Sequence, residues 1–193
     1  MPDVGHVAVG LAAARAYEGE RWTWRTGVTL SLLSLLPDSD IPVAKILRAP
    51  FDTPLYHRGW THSLAFAALI GGVALHRRKS RRWALLVFAV VASHGALDML
   101  DKGRLGVEYL WPLSGHNYFW PWRFLPGGEP ASGWVSWEEA RQVALGALWF
   151  VPLFFYAFQR RLKLPATWSK TFRKAGSSEL VPMTMPSTTR QTE

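Results

Sequence analysis

The chain reads as an all-α protein: a membrane-associated bundle of about five apolar helices, with a Trp/Pro-rich loop and a disordered C-terminal tail. Three observations predict this. Apolar runs of helical length recur at 3–17, 26–36, 60–76, 83–100 and 141–158. Polar residues are bunched between these runs, so a mean hydropathy of only +0.02 hides the segregation. The chain also carries 11 Trp, a residue that favours membrane–water interfaces as well as cores.

The totals set further bounds. A chain of 193 residues is long enough for one domain with a real core. We expect that domain over 1–163 and a Ser/Thr/Pro/Lys-rich tail, without chemistry, over 164–193. There is no Cys, which excludes disulfides and Cys-ligated metal. A metal would have to be held by His and carboxylate, a donor set that suits zinc, manganese or iron. The net charge of +8 shows no basic-aromatic surface pattern. It reads as loop and tail charge, and no nucleic-acid partner is expected.

Taken in order, residues 3–17 form a small-residue helix that Asp3 could cap, with His6 in its first turn. Its lack of a basic start argues against a signal peptide. Residues 18–25 read as a polar loop containing Trp22 and Trp24. The second helix, 26–36 with a start as early as Trp22, stops at Pro37. Asp38-Ser39-Asp40 then offers two carboxylates at a helix end: capping groups, or hard oxygen ligands for metal. Residues 41–56, with three prolines, read as an irregular connection with one helical piece around Val43–Leu47.

The densest polar stretch is His57-Arg58-Gly59-Trp60-Thr61-His62-Ser63, at the mouth of the third apolar run. His57 and His62 are five apart and cannot share one helical face. Gly59 suggests a turn, with His57 on the loop and His62 in the first turn of the helix. Thr61 and Ser63 fit helix caps better than nucleophiles. His76, in the basic run ending that segment, reads as solvated. The fourth run, 83–100, is apolar except for Ser93, His94 and Asp98. The spacing His94-x-x-x-Asp98 puts an imidazole and a carboxylate one turn apart on one face, where they can chelate one ion. A buried His–Asp hydrogen bond is the plainer alternative. Polar groups inside apolar helices are costly and usually functional. Residues 101–140 carry Trp111-Pro112 and Trp120-Pro121 and read as a cap over a site or a belt at the lipid surface; His116 is an extra candidate ligand.

Runs three to five approach the length that crosses about 30 Å of hydrocarbon. If the basic clusters at 77–82 and 160–163 face the cytoplasm, then His6, Asp38, Asp40, His57, His62, His94 and Asp98 all fall near the same outer side. That convergence supports one site, in a multi-pass protein of the inner membrane.

These motifs resemble the YdjM-like family of inner-membrane-associated, metal-dependent hydrolases. The shared pattern is an N-terminal His in a small-residue helix, Leu-Leu-Pro-Asp-Ser-Asp, His-Arg-Gly-Trp-Thr-His-Ser, Ser-His-x-x-x-Asp and a Trp-Pro loop, over roughly residues 3–115. More distantly, the family is similar to the zinc-dependent phospholipase C and S1/P1 nuclease group, α-helical phosphoesterases with three zinc ions. The resemblance implies His6, Asp38 or Asp40, His57 or His62, His94 and Asp98 as ligands. The His-x-x-x-Glu that completes the third zinc site in that group has no counterpart after Asp98, which implies one or two metals here.

The expected function is hydrolysis by a metal-activated water of a small-molecule, phosphoester or lipid-linked substrate at the bilayer. His94, Asp98 and one of His57/His62 would hold the first ion, zinc before manganese or iron. Asp38 or Asp40 would bridge to a second ion served by His6, or act as base, and Arg58 would stabilise developing negative charge. The rivals are a metal- or haem-binding membrane protein without hydrolysis, and a structural membrane protein whose polar groups only bond helices together.

Overall fold

A computed structural model describes residues 3–50, 53–103, 105–125 and 137–159, all helical or irregular apart from isolated bridges. The expected tail and Trp134 lie outside the described residues, as does the side chain of Asp3 with its expected cap. Six α-helices are described: α1 (Asp3–Glu18), α2 (Trp24–Leu35), α3 (Asp40–Leu47), α4 (Leu64–Arg78), α5 (Arg81–Asp98) and α6 (Trp137–Phe158). The all-α expectation holds, with local corrections. The loop at 18–25 shortens to a 3-10 turn at Gly19–Arg21, because Thr23 caps α2 by accepting from the Thr26 amide at 3.3 Å. A second 3-10 turn, Leu36–Ser39, carries Asp38. The helical piece expected around Val43–Leu47 starts three residues earlier, at Asp40.

α1 and α2 form an antiparallel hairpin that is close because it is built from small residues. A Cβ on Gly10 would lie 2.4 Å from the Ser31 Cα, so the two backbones nearly touch. Ser31 donates its hydroxyl hydrogen to the Val7 carbonyl there, at 3.2 Å. α4 and α5 form the second hairpin, joined by the basic turn around Lys79. α5 is central: Trp83, Val87, Val90 and Val91 are buried on it and pack with Leu30 and Phe66. Burial of each such large side chain contributes about 1.5–3 kcal/mol. α6 lies along α1, where Phe150 and Ala8 join one cluster and Arg15 donates to the Gln159 carbonyl.

Both hairpins point the same way. His6, the Asp38–Asp40 turn, the Trp60–Ser63 turn and the C-terminal end of α5 meet at one end of the bundle. Tyr17 packs edge-on against Trp83 at the opposite end, beside the exposed Arg77–Arg82 run.

Among the described residues, no helix is long and apolar enough to cross a membrane. This corrects the expected spanning segments. α4 has 15 residues, about 22 Å of helix against about 30 Å of hydrocarbon. α5 opens on Arg81-Arg82 and closes on a buried His and Asp, and the start of α6 carries Glu138, Glu139 and Arg141. Large apolar side chains are nevertheless exposed on α2, α4, α5 and α6, among them Leu32, Leu69, Leu85, Leu148 and Phe155.

Candidate metal centre

Four separate elements deliver the core of the polar cluster. α5 presents His94 and Asp98 on one face, with His94 Nε2 3.6 Å from Asp98 Oδ2, as their spacing predicts. Asp38 comes from the 3-10 turn after α2, and Asp40 from the first residue of α3. His62 belongs to a separate 3-10 turn, Trp60–His62, rather than to the first turn of α4. Ser63 interrupts the two: it adopts an extended backbone, and its Oγ caps α4 by accepting from the Phe66 amide at 3.1 Å. Gly95 lets this turn press against α5, since a Cβ there would lie 2.4 Å from the His62 carbonyl oxygen.

Hydrogen bonds fix which nitrogens point inward. His94 Nδ1 lies 2.6 Å from the Ser34 carbonyl oxygen, which can only accept, so Nδ1 carries the hydrogen. Neutral His94 then offers a lone pair at Nε2. Thr61 donates its hydroxyl hydrogen to Asp40 Oδ2 at 2.8 Å. Its oxygen, 3.1 Å from His62 Nδ1, is free to accept, and Asp40 Oδ2 is 3.3 Å from the same nitrogen. Neutral His62 is thereby also set with its lone pair at Nε2. The two Nε2 atoms are 3.1 Å apart. Asp38 Oδ1 lies 3.5 Å from His62 Nε2 and 3.3 Å from His94 Nε2. Asp98 Oδ2 is 3.6 Å from each.

Four acceptor atoms therefore converge. The edge of a zinc tetrahedron with bonds near 2.05 Å is about 3.3 Å, and these five separations bracket it. Asp38, His62, His94 and Asp98 fit a single divalent ion in donor type and in spacing. Without a cation, protonation relieves the conflict. Burial pushes the His62 imidazole down, but the bonds to Asp38 and Asp40 and the charge of Asp98 overcome it and raise the pKa to about 9. Burial would push the Asp38 and Asp98 carboxyls up. The facing histidines reverse this for Asp38, and His6 with Arg58 helps to do so for Asp98, holding both well below the ordinary carboxylate range.

Around this core lies a second layer. Asp40 is buried, accepts from the Arg58 amide at 3.3 Å and lies 3.1 Å from His57 Nδ1. Asp40, His57 and His62 could form a second ion-holding group that shares His62. His6 is in neither group. Its Nε2 lies 3.4 Å from the other oxygen of Asp98, its ring stacks on His94 at 3.7 Å, and its buried Nδ1 has no hydrogen-bond partner among the described residues. Arg58 is buried with a left-handed φ of 72°, a costly backbone for a bulky residue. Its guanidinium bonds both oxygens of Asp101 and the Leu105 carbonyl, and Nε is 3.5 Å from Asp98 Oδ2.

A family model described as "YdjM inner membrane protein" matches residues 1–164. The chain belongs to that family. The match continues through α6, past the 3–115 stretch whose motifs carry the resemblance. The chain is also similar to "Inner membrane protein YbcI" of Escherichia coli (strain K12), at 32% identity over 127 residues, covering 62% of this chain and 72% of the relative. No solved structure matches.

For this family member, sequence reasoning overlooked the supports of the site. Thr61 holds Asp40 and His62 instead of capping α4. Asp101 anchors Arg58; its place three residues after Asp98 was the available signal. The Ser34 carbonyl, being backbone, leaves no signal in side-chain identity. His76 is exposed near the far end of α4, and His116 is exposed against Tyr118; neither is in an ion-holding group.

Proposed function

We propose that the chain is a metal-dependent hydrolase working at the surface of the inner membrane, on a phosphoester or lipid-linked substrate. The observation that carries this reading is the convergence of two imidazole lone pairs and two carboxylate oxygens at tetrahedral spacing. Asp38, His62, His94 and Asp98 would hold the ion, zinc before manganese or iron. When bound, such an ion acts as a Lewis acid and brings the pKa of its water toward neutral.

The remaining residues act on those ligands or on protons. Asp40 and Thr61 keep His62 in the tautomer that points Nε2 inward. His57, about a quarter exposed at its side chain and held at Nδ1 by Asp40, has Nε2 left to take or give a proton at the open edge of the site. Arg58 holds Asp98 ionised and supplies positive charge beside it. His6 stacks on His94 and faces Asp98, which fits a positioning role or a ligand to a second ion. The exposed apolar side chains of α2, α4, α5 and α6 would rest against lipid. The basic Arg77–Arg82 end would meet anionic headgroups.

The test is elemental analysis of the purified protein beside His94→Ala and Asp98→Ala, with hydrolysis of bis-p-nitrophenyl phosphate followed on the same samples. Near-stoichiometric zinc, manganese or iron that is lost in both folded variants, together with metal-dependent turnover, supports the reading. A wild type that stays metal-free after reconstitution overturns it and leaves the cluster as helix-packing hydrogen bonds.

A further inference from the structure

The loop that follows α5 exposes large apolar side chains at the site end of the bundle. Leu113 is 92% exposed and Trp122 79%, and Phe119, Trp120 and Phe124 are exposed as well. The backbone beneath them is fixed. The Trp120 amide donates to the Met99 carbonyl and its indole N–H to the Ala96 carbonyl, both at 3.1 Å. Val107 and Tyr118 exchange backbone hydrogen bonds at 3.0 and 2.9 Å. Apolar side chains held outward in this way mark an interaction surface.

The chemistry of the loop says what that surface meets. From Tyr109 to Leu125 there is no Asp or Glu. Arg123 is exposed, and its guanidinium lies 5.0 Å over the Phe119 ring. Indole rings prefer the boundary between hydrocarbon and water, and an arginine among them suits anionic lipid phosphate. The patch is also continuous with α6. Phe124 packs against Trp149 at 4.9 Å, and Trp149, Leu145 and Leu148 are exposed there. In a member of an inner-membrane protein family, the surface at hand is the bilayer.

The same loop walls the site. A cavity of about 190 Å³ is lined by His57 and Arg58, from the surroundings of the ligand cluster, and by Asn117 and Phe119 of the loop. Asn117 and Phe119 are exposed, so the cavity reaches the surface at the loop.

We propose that residues 109–124 form the rim by which the protein docks on an anionic phospholipid bilayer, holding the mouth of this cavity at headgroup level. Substrate then enters from the lipid layer, which makes it a phospholipid or lipid-linked phosphoester. The docking rests on the loop alone; the route of the substrate rests also on the metal-dependent hydrolase reading.

The chain has no Cys, so one introduced Cys carries a unique nitroxide label. Leu113→Cys and Trp122→Cys, each in the full chain reconstituted into vesicles of phosphatidylethanolamine and phosphatidylglycerol, are followed by power-saturation EPR. Both labels should collide with oxygen, which concentrates in lipid, more than with a water-soluble nickel chelate. Labels that meet the chelate freely lie in water, and labels shielded from both reagents lie under protein; either result overturns the docking. The double variant Leu113→Ser, Trp122→Ser, with both positions exposed and off the cavity wall, tests the route. Hydrolysis of vesicle-borne phospholipid should fall at least about tenfold, the scale of one large apolar side chain lost from lipid, while turnover of bis-p-nitrophenyl phosphate stays unchanged. Equal rates on the vesicle substrate, or equal losses on both substrates, overturn entry from the lipid layer. Failure of the hydrolase reading shows separately, as no turnover of either substrate by the zinc-loaded wild type, and the EPR result decides the docking in that case too.

Discussion

Replacing Asp40 with Asn decides whether this carboxylate holds a ligand in place or is a ligand. Asp40 Oδ2 faces the Thr61 hydroxyl at 2.8 Å, the Arg58 amide at 3.3 Å and His62 Nδ1 at 3.3 Å, while Oδ1 faces His57. An Asn oxygen can stand in for one carboxylate edge and not both, and the charge behind the His62 N–H is lost. Outer partners of this kind are worth about 10–100-fold in metal affinity, or about 1.4–2.7 kcal/mol. Zinc competition against a chelator of known affinity should therefore show Asp40→Asn weakened by that amount at unchanged stoichiometry. Asp38→Asn, which removes a facing oxygen, should be weakened by more than about a hundredfold. If Asp40→Asn binds zinc as the wild type does, the positioning argument is wrong. If it falls as far as Asp38→Asn, or loses a second equivalent of zinc, Asp40 is itself a ligand and the Asp40–His57–His62 group is a second site.

Two further predictions follow from the same geometry. His62 is raised from 6.5 to about 9 in the metal-free chain, so its proton contributes stability that is fully present below pH 6.5 and lost as pH rises through about 9. Zinc must displace that proton. Zinc affinity should climb about tenfold per pH unit from 7 to about 9 and then level off, while the Tm of the metal-free chain falls across that window. A flat affinity profile, or a metal-free Tm that rises with pH there, would contradict the assignment. Gly95→Ala gains about 1 kcal/mol in helix propensity but places a methyl 2.4 Å from the His62 carbonyl and 3.0 Å from the Tyr109 ring. Overpacking of this kind costs about 1–3 kcal/mol, so urea unfolding should show little gain or a net loss, and zinc affinity should drop because the His62 turn is pushed off α5. A variant more stable than wild type with zinc affinity intact would sink that account.

The residues that converge were legible in the sequence because they are chemically out of place. A His and an Asp one turn apart in an apolar run, or two histidines at the mouth of another, have no reason to be there unless something uses them. Apolar runs of helical length likewise marked most elements. The sequence did not say which atoms would meet. Asp38 and Asp40 are two residues apart and chemically identical, yet one faces both inward nitrogens and the other lies behind His62. That division depends on the 3-10 turn at Leu36–Ser39 and the start of α3, a backbone detail that composition does not encode. The tautomers of His94 and His62 depend on a carbonyl 60 residues away and on a threonine that looks like a helix cap. Apolar content alone also misjudged the helices as spans, because their true ends include the charged residues that flank each run. Sequence determined the donor types and the helices that carry them. Tertiary packing, through Gly10 and Gly95 bringing backbones nearly into contact, decided which donors share a centre, because ligand distances are set by how closely the helices approach.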